Sequence, residues 1–467
     1  MFNSSNIHIF NRLNSDIVFD PSTMEAIEPS PLQLKILRLC NPQKNIEQVI
    51  SSKKLIDYTS DQIRMECNEL VSKGFLVSSK ASLKEIKPFV GSFELVLNIS
   101  QSCNLDCSYC FSDNKKQQHM SFDTASKAID LFLDYNSGIE TFKLSFFGGE
   151  PLMNYKTLKQ SVFYAKERAR LKGIINIQFF IITNGTLLSD DLIHFFDEHH
   201  FEVQVSIDGE EKTHDENRKY VSGKGSFQKT FSNFNKLFET NNIRVSTSSV
   251  ISGKNPLSNV YEFLKDYPLE HMKMDFFQNF QQEKLIEFDN ANDDSVEEYT
   301  HDLEKLASEY LSNLESLKIP SEYNFKQGIM MLWHKKFKKV YCPASFGRFG
   351  VSFNGNIYPC GAATSMKKYQ LGNINSGVDK RSLADFRTHM SVNSVPKCES
   401  CWAKPLCLGG CPLTFQYEYS ENYCKIRKAM AECSIAIYTK IRSDNPLGYT
   451  VLTNPGFAEI LSDYELA

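Results

Sequence analysis

No stretch of this sequence approaches the ~18 consecutive apolar residues that a membrane-spanning helix needs, which argues against an integral helical membrane protein. The opening residues, Met1-Phe2-Asn3-Ser4-Ser5-Asn6, lack the charged and apolar segments of a secretory signal, so a cytoplasmic setting is expected. Charge is nearly balanced: 52 Lys+Arg stand against 56 Asp+Glu, a net of −4. That balance gives no reason to expect nucleic acid or a membrane surface as a partner. With 22 Gly and 16 Pro among 467 residues, the composition is that of a globular chain with room for two to four domains. Phenylalanine is abundant, at 35 residues, and is expected mainly in cores. Cysteine is abundant as well, at 13 residues. Disulfides are rare in a cytoplasmic setting, and disulfide scaffolds are usually far smaller, so clustered cysteines point to metal or redox work.

Ten of the thirteen cysteines form two clusters. Cys103, Cys107 and Cys110 follow a Cys-x3-Cys-x2-Cys spacing, with Phe111 next. Three thiolates on a short loop with no histidine leave one metal position without a protein ligand. An open position marks a site that does chemistry, whereas structural sites are closed. The alternative is a zinc site completed from afar. The second cluster is Cys342, Cys360, Cys398, Cys401, Cys407, Cys411 and Cys424. Seven thiols cannot fill two zinc sites of four cysteines each. Cys433 is a candidate eighth ligand, and Cys40 and Cys67 read as packing residues on helical faces.

The fold class expected is α/β: a partial (β/α)6 TIM-type barrel with an N-terminal winged-helix-like domain and a C-terminal metal-dependent domain. Residues 1–88 read as the first domain. Strands are expected at Ile7–Leu13, Asp16–Phe19 and Met24–Ile27, and helices at Pro31–Cys40, Ile46–Leu55 and Ser60–Ser72. Thr59 and Gln62 form a capping box for the last helix and Gly74 stops it, after which Phe75-Leu76 reads as an edge strand. Lys80–Lys87 reads as a linker. Residues 89–280 alternate strand and helix six times, the pattern of a parallel sheet wrapped by helices. Residues 281–335 read as a helical bridge, 336–440 as a loop-rich cysteine-dense domain that depends on metal for its fold, and 441–467 as a tail.

In such barrels ligands gather beyond the C-terminal ends of the strands. Cys103 follows the first strand, Gly148-Gly149-Glu150 the second, Thr183-Asn184-Gly185 the third and Ser206-Ile207-Asp208-Gly209 the fourth. Every unusual motif of the region therefore falls at one mouth. The glycine pair could be a plain strand-ending turn. Glycines also let backbone approach a ligand closely, and a carboxylate pairs with an ammonium.

The Cys-x3-Cys-x2-Cys loop with its following aromatic resembles that of the radical S-adenosylmethionine (SAM) enzymes, over roughly Phe93–Phe280. The resemblance implies a [4Fe–4S] cluster whose fourth iron binds S-adenosylmethionine, reductive cleavage to a 5′-deoxyadenosyl radical, and hydrogen abstraction from an unactivated C–H bond. It assigns Gly148, Gly149 and Glu150 to the methionine amine of the cofactor. It makes Asn184 and Ser206 candidates for the carboxylate and ribose, and Arg218 a further candidate. Asp208 could instead cap a turn.

The C-terminal spacing resembles the SPASM extension of radical SAM peptide maturases. By that resemblance Cys398, Cys401, Cys407 and Cys424 hold one auxiliary [4Fe–4S] cluster, and Cys342, Cys360 and Cys411 hold another whose fourth ligand is not evident. An Asn354-Gly355 pair between short apolar runs predicts a type I′ hairpin that presents Cys360 to Cys342. The N-terminal segment could read DNA, but residues 1–90 hold 11 Lys+Arg against 10 Asp+Glu, which is no footprint for phosphate. It resembles instead the precursor-recognition domain of peptide-modifying enzymes, which adds a leader peptide as a strand at a sheet edge. The expectation is therefore a maturase of a ribosomally made precursor peptide. The expected product is an intramolecular thioether, or a carbon–carbon or ether cross-link, and the expected electron donor is a flavodoxin or ferredoxin. Two alternatives stand: a sulfatase-type maturase that makes formylglycine, and a non-enzymatic metal-dependent DNA-binding regulator. Against the first, Gly361 follows Cys360 where those relatives carry an acidic residue suited to a base.

Overall fold

In the computed structural model, the described residues are 7–40, 46–76, 84–86, 91–110, 117–135, 138–251, 255–276, 293–338, 340–414, 421–442 and 446–453. Phe111 and most of the expected linker lie outside them.

The chain opens with an antiparallel sheet of β1 (His8–Arg12), β2 (Ser15–Asp20) and β3 (Glu25–Ile27), in that spatial order. Helices α1 (Pro31–Leu39), α2 (Ile46–Ile50) and α3 (Ser60–Ser72) follow. Capping boxes start two of them: Ser30 with Gln33, and Thr59 with Gln62. The sheet is covered on both faces, which explains the unbroken apolar run of β2. Val18 and Ile27 pack with the helices, together with Cys40 and Cys67. Ile17, Phe19 and Ala26 turn the other way, into the main core of the protein. Phe75 and Leu76 are not a strand: both are buried in the helical core, after Gly74 turns the chain at φ 85°. The expected linker is partly structured. Its β4 (Lys84–Ile86) pairs parallel with a distant strand, β11 (Lys336–Lys338).

The central sheet starts with β5 (Ser92–Ser100), followed by α4 (Phe122–Tyr135), β6 (Thr141–Gly148), α5 (Tyr155–Leu171), β7 (Asn176–Thr183), α6 (Asp190–Glu198) and β8 (Phe201–Ser206). Helices α7 (Glu211–Asn217) and α8 (Phe227–Leu237) precede β9 (Arg244–Ile251), and α9 (Leu257–Leu264) precedes β10 (Met272–Phe276). The six strands are parallel and lie in sequence order. Outward residues such as Phe93, Leu95, Phe142, Leu144, Val203 and Val205 are fully buried under the helices. The inner face is polar near the strands' N-terminal ends. There Glu94 accepts from Ser145 Oγ at 2.5 Å and from Arg348 Nε, and Glu202 accepts from Ser246 Oγ at 3.1 Å.

Helices α10 (Asp293–Glu315) and α11 (Tyr323–His334) lead to β12 (Arg348–Val351), β13 (Asn356–Tyr358), β14 (Gly372–Asn373) and β15 (Gly377–Val378). β12 lies parallel to β5 and continues the barrel's own sheet to ten strands, so the sheet does not end at residue 280. The open edge of an incomplete barrel would expose unpaired backbone, and the C-terminal region satisfies it. The turn between β12 and β13 is not type I′. Gly355 N donates to Ser352 O at 2.8 Å and Gly355 alone has positive φ, giving a three-residue loop closed by a left-handed glycine.

Helices α12 (Lys380–His389), α13 (Lys404–Cys407), α14 (Glu421–Lys440) and α15 (Pro446–Leu452) complete the chain. The twenty-residue α14 was not legible as a helix, because its buried residues surround it and leave little amphipathic stripe. The stretch expected as a tail contains α15.

α14 and the residues around it join the N-terminal sheet to the rest, with Glu304 of α10 and Lys335. His8 Nε2 lies 2.9 Å from Glu432 Oε1, Arg12 pairs with Glu432 at 2.9 Å, and Arg442 donates to Ala26 O at 2.8 Å. The His8 ring stacks on Trp402 with centroids 3.6 Å apart.

Candidate active site at the barrel mouth and its thiol clusters

The cysteine loop leaves β5 after Ser100 and folds back over the end of β6. Gly149 N donates to Ser100 O at 2.7 Å and Glu150 N to Ser102 O at 2.8 Å. A Cβ on Gly148 would stand 2.1 Å from Ser100 O, and one on Gly149 2.4 Å from Ser102 O. The glycines are thus required by the approach of the chain's own cysteine loop. The Glu150 side chain is fully buried and bonds within the protein. Its Oε1 accepts from Leu152 N at 3.0 Å and Thr183 Oγ1 at 2.8 Å, and its Oε2 accepts from Asn184 N at 2.8 Å. Burial outweighs those three donors and lifts its carboxyl to about 7. The expected pairing of this carboxylate with an ammonium is not what the geometry provides: the side chain ties the end of β6 to the end of β7.

Asn184 reaches the cysteine loop directly. Its Nδ2 donates to Asn104 Oδ1 at 2.9 Å and lies 3.9 Å from Cys103 Sγ, while its Oδ1 accepts from Thr186 N and Oγ1. Ser206 ends β8 in register with Ser248.

The other side of the loop rests on residues 217–221. Asp106 N donates to Lys219 O at 2.7 Å, Ser108 N to Asn217 O at 3.0 Å, and Leu105 bridges Tyr220. Beneath it lies a buried charged network. Arg218 Nε donates to Asp208 Oδ2 at 3.0 Å, the Tyr109 hydroxyl donates to the same oxygen, and Val250 N donates to Asp208 Oδ1 at 3.0 Å. The Arg218 guanidinium sits 5.2 Å from the Tyr109 ring centroid. Burial works against the charge on Arg218, but Asp208, Tyr109 and Cys107 hold it firmly protonated. Burial pushes the Tyr109 hydroxyl well above its ordinary range, and drives His214, which accepts from Asp208 N, down to about 4. Asp208 is therefore more than a turn cap. Tyr109 was passed over in the sequence, although its place between Cys107 and Cys110 was a usable signal.

The seven C-terminal thiols separate into two groups by mutual electrostatic influence. Cys411 feels Cys342 and Cys360, and Cys360 feels Cys342. Cys398 feels Cys407, Cys401 and Cys424. These four line one cleft of about 640 Å³ with Trp402, Tyr423 and Arg427. Burial pushes Cys360 and Cys398 up to about 11 and lifts Cys411 well above its ordinary range, so thiolate formation there needs a compensating cation. Among the described residues no three His, Cys, Asp or Glu side chains stand close enough to hold a single metal ion. Cys433 is absent from both groups: it is fully buried in α14 with Arg12 and Glu304 as its charged neighbours.

Residues 97–266 match the Radical SAM superfamily. An uncharacterised protein of Methanocaldococcus jannaschii is 31% identical over 273 residues, covering 57% of this chain and 89% of that protein. The serine-type anaerobic sulfatase-maturating enzyme of Bacteroides thetaiotaomicron is 28% identical over 360 residues, covering 68% of this chain and 82% of the enzyme. Among solved structures, Streptococcus suis SuiB bound to its precursor peptide SuiA superposes with a TM-score of 0.50 at 16% identity, covering 90% of this chain and 99% of SuiB. Among the described residues no helix is long and apolar enough to cross a membrane.

Proposed function

The chain belongs to the Radical SAM superfamily and is a radical SAM enzyme, and on that premise we propose that it matures a ribosomally synthesised precursor peptide by closing an intramolecular cross-link. When bound, a [4Fe–4S] cluster with S-adenosylmethionine supplies a 5′-deoxyadenosyl radical that removes hydrogen from an unactivated C–H bond. Cys103, Cys107 and Cys110 hold that cluster. The backbone of Gly148-Gly149-Glu150, together with Asn184, Ser206 and the Arg218 network, shapes the cofactor's seat. Cys342, Cys360 and Cys411 form one auxiliary site and Cys398, Cys401, Cys407 and Cys424 the other.

On β10, Lys273 and Asp275 alternate with the core residues Met272 and Met274 and so share the opposite face of the sheet. They pair at 2.9 Å, and Asp275 lies within electrostatic range of Cys411 and Tyr341. Asp275 takes the substrate proton as the cross-link closes, and the electron left behind would pass to an auxiliary iron–sulfur cluster held by the C-terminal cysteines. The leader peptide adds as a strand to an edge of the β1–β3 sheet, the mode left by a sheet whose faces are both covered. A flavodoxin or ferredoxin supplies electrons.

The single observation that carries this reading against the sulfatase-type one, despite the 28% identity to such an enzyme, is Gly361. A Cβ there would stand 2.7 Å from Val96 Cγ1 and 3.3 Å from Phe147 Cδ1, so the acidic residue expected after Cys360 in a sulfatase-type maturase would have to displace those side chains. The test is anaerobic incubation of the reconstituted protein with the peptide encoded beside its gene, read by tandem mass spectrometry. A product lighter by two hydrogens is expected. Oxidation of a Cys or Ser side chain to an aldehyde in a sulfatase peptide would replace this reading with the other.

A further inference from the structure

Arg427 lies on α14 and lines the cleft shared by Cys398, Cys401, Cys407 and Cys424. Its Nη2 donates to Cys407 O at 3.3 Å, and its guanidinium is within hydrogen-bond reach of the Cys407 side chain. Its Nε is sealed from solvent and has no hydrogen-bond partner among the described residues. The guanidinium sits 5.7 Å from the centroid of Tyr341, the residue before Cys342, so it stands between the two thiol groups. Tyr423, Cys407 and Tyr341 act on its charge. The side chain is partly buried, and a guanidinium drawn from water is favoured where an anion faces it. The anion on offer is the thiolate set of the cleft.

Lys397, Lys428 and Glu421 act on Cys424, with Lys397 paired to Glu421, and Lys404 acts on Cys398. In the three-thiol group Asp275 acts on Cys411, and Arg348, paired with Glu94, acts on Cys360. A positive charge held close to a cluster favours its reduced, more negative form, as do hydrogen bonds to its sulfurs.

Resting on the auxiliary sites of the proposed function, we propose that Arg427 is a positioning residue that raises the reduction potential of a cluster held by Cys398, Cys401, Cys407 and Cys424, so that this site reduces before the one at Cys342, Cys360 and Cys411. Lys404 and Lys428 share its intermediate burial, but Arg427 differs in donating directly at Cys407.

The test is an EPR-monitored redox titration of the anaerobically reconstituted full-length protein, with the signals assigned using a C398A/C401A variant. Arg427→Met is expected to disfavour reduction of the four-thiol site at least tenfold, about 59 mV for a one-electron couple, and to move the site at Cys342, Cys360 and Cys411 by less. Arg427→Lys should keep most of the wild-type value, and Arg427→Gln should resemble Arg427→Met. Equal potentials in loaded Arg427→Met and wild type overturn the proposal. If Arg427→Met does not take up iron, equal potentials in the Lys and Gln variants overturn it. Wild-type protein that shows no auxiliary cluster signal at all would instead sink the assignment of those sites.

Discussion

Replacing Glu150 with glutamine should change how stability depends on pH more than it changes stability itself. The Glu150 carboxyl is fully buried and titrates at about 7, against an ordinary value near 4.5. The folded state therefore holds its proton more tightly than the unfolded state does. The stabilisation is fully present below the unfolded pKa, and it is lost as pH rises through the folded pKa. Integrating that difference gives a loss of about 2.5 kcal/mol between about pH 5 and pH 8, from a 1.36 kcal/mol equivalence per pKa unit. Glutamine cannot titrate. It also loses one acceptor among the three bonds to Leu152 N, Thr183 Oγ1 and Asn184 N, a constant penalty of about 1–3 kcal/mol. The two effects differ in shape. Urea unfolding of both proteins across this range should show wild type well ahead at low pH and the gap closing by about 2.5 kcal/mol as pH rises. Other titrating groups, including Glu322, which burial also lifts to about 7, cancel in the difference. Parallel curves would refute the reasoning, because Glu150 would then be ionised throughout despite its burial.

Asp208→Asn leaves Arg218 buried without its counter-charge and should cost about 3–5 kcal/mol in a denaturant titration; Tyr109→Phe, which removes one donor, should cost about 1 kcal/mol. Alanine replacements within one C-terminal thiol group should each remove the same block of iron, and a second replacement in that group should remove no more; one replacement in each group should remove two blocks. Iron and sulfide analysis of anaerobically purified protein checks this. Gly361→Asp forces a side chain against Val96 and Phe147, and is expected to destabilise by about 1–3 kcal/mol without yielding formylglycine activity. Asp275→Asn should still form 5′-deoxyadenosine with the peptide present while cross-linked product falls at least tenfold, which quantitative mass spectrometry of both would show.

The barrel was legible because each of its strands is a short apolar run and each helix an amphipathic one, so α4, α5 and β9 fall where their periodicity places them. The mouth was legible because strand ends can be counted. What escaped was whatever depends on three-dimensional company. The direction of the Glu150 carboxylate is set by two donors near residue 184, and the role of Asp208 by a tyrosine about a hundred positions earlier. α14 shows no stripe because it is packed on several sides, and β12 is too short to announce that it completes another region's sheet.

The two-sided cover of the N-terminal sheet constrains how this segment can be exchanged. Replacing residues 1–88 with the equivalent segment of a relative would set unrelated side chains against α14 and Trp402, where Ile17, Phe19 and His8 now fit. Chimeras built by cutting at residue 88 should aggregate. Grafts that also carry the matching surfaces of α14 and Trp402 should survive, which makes those distant parts of the chain one unit with its first strands.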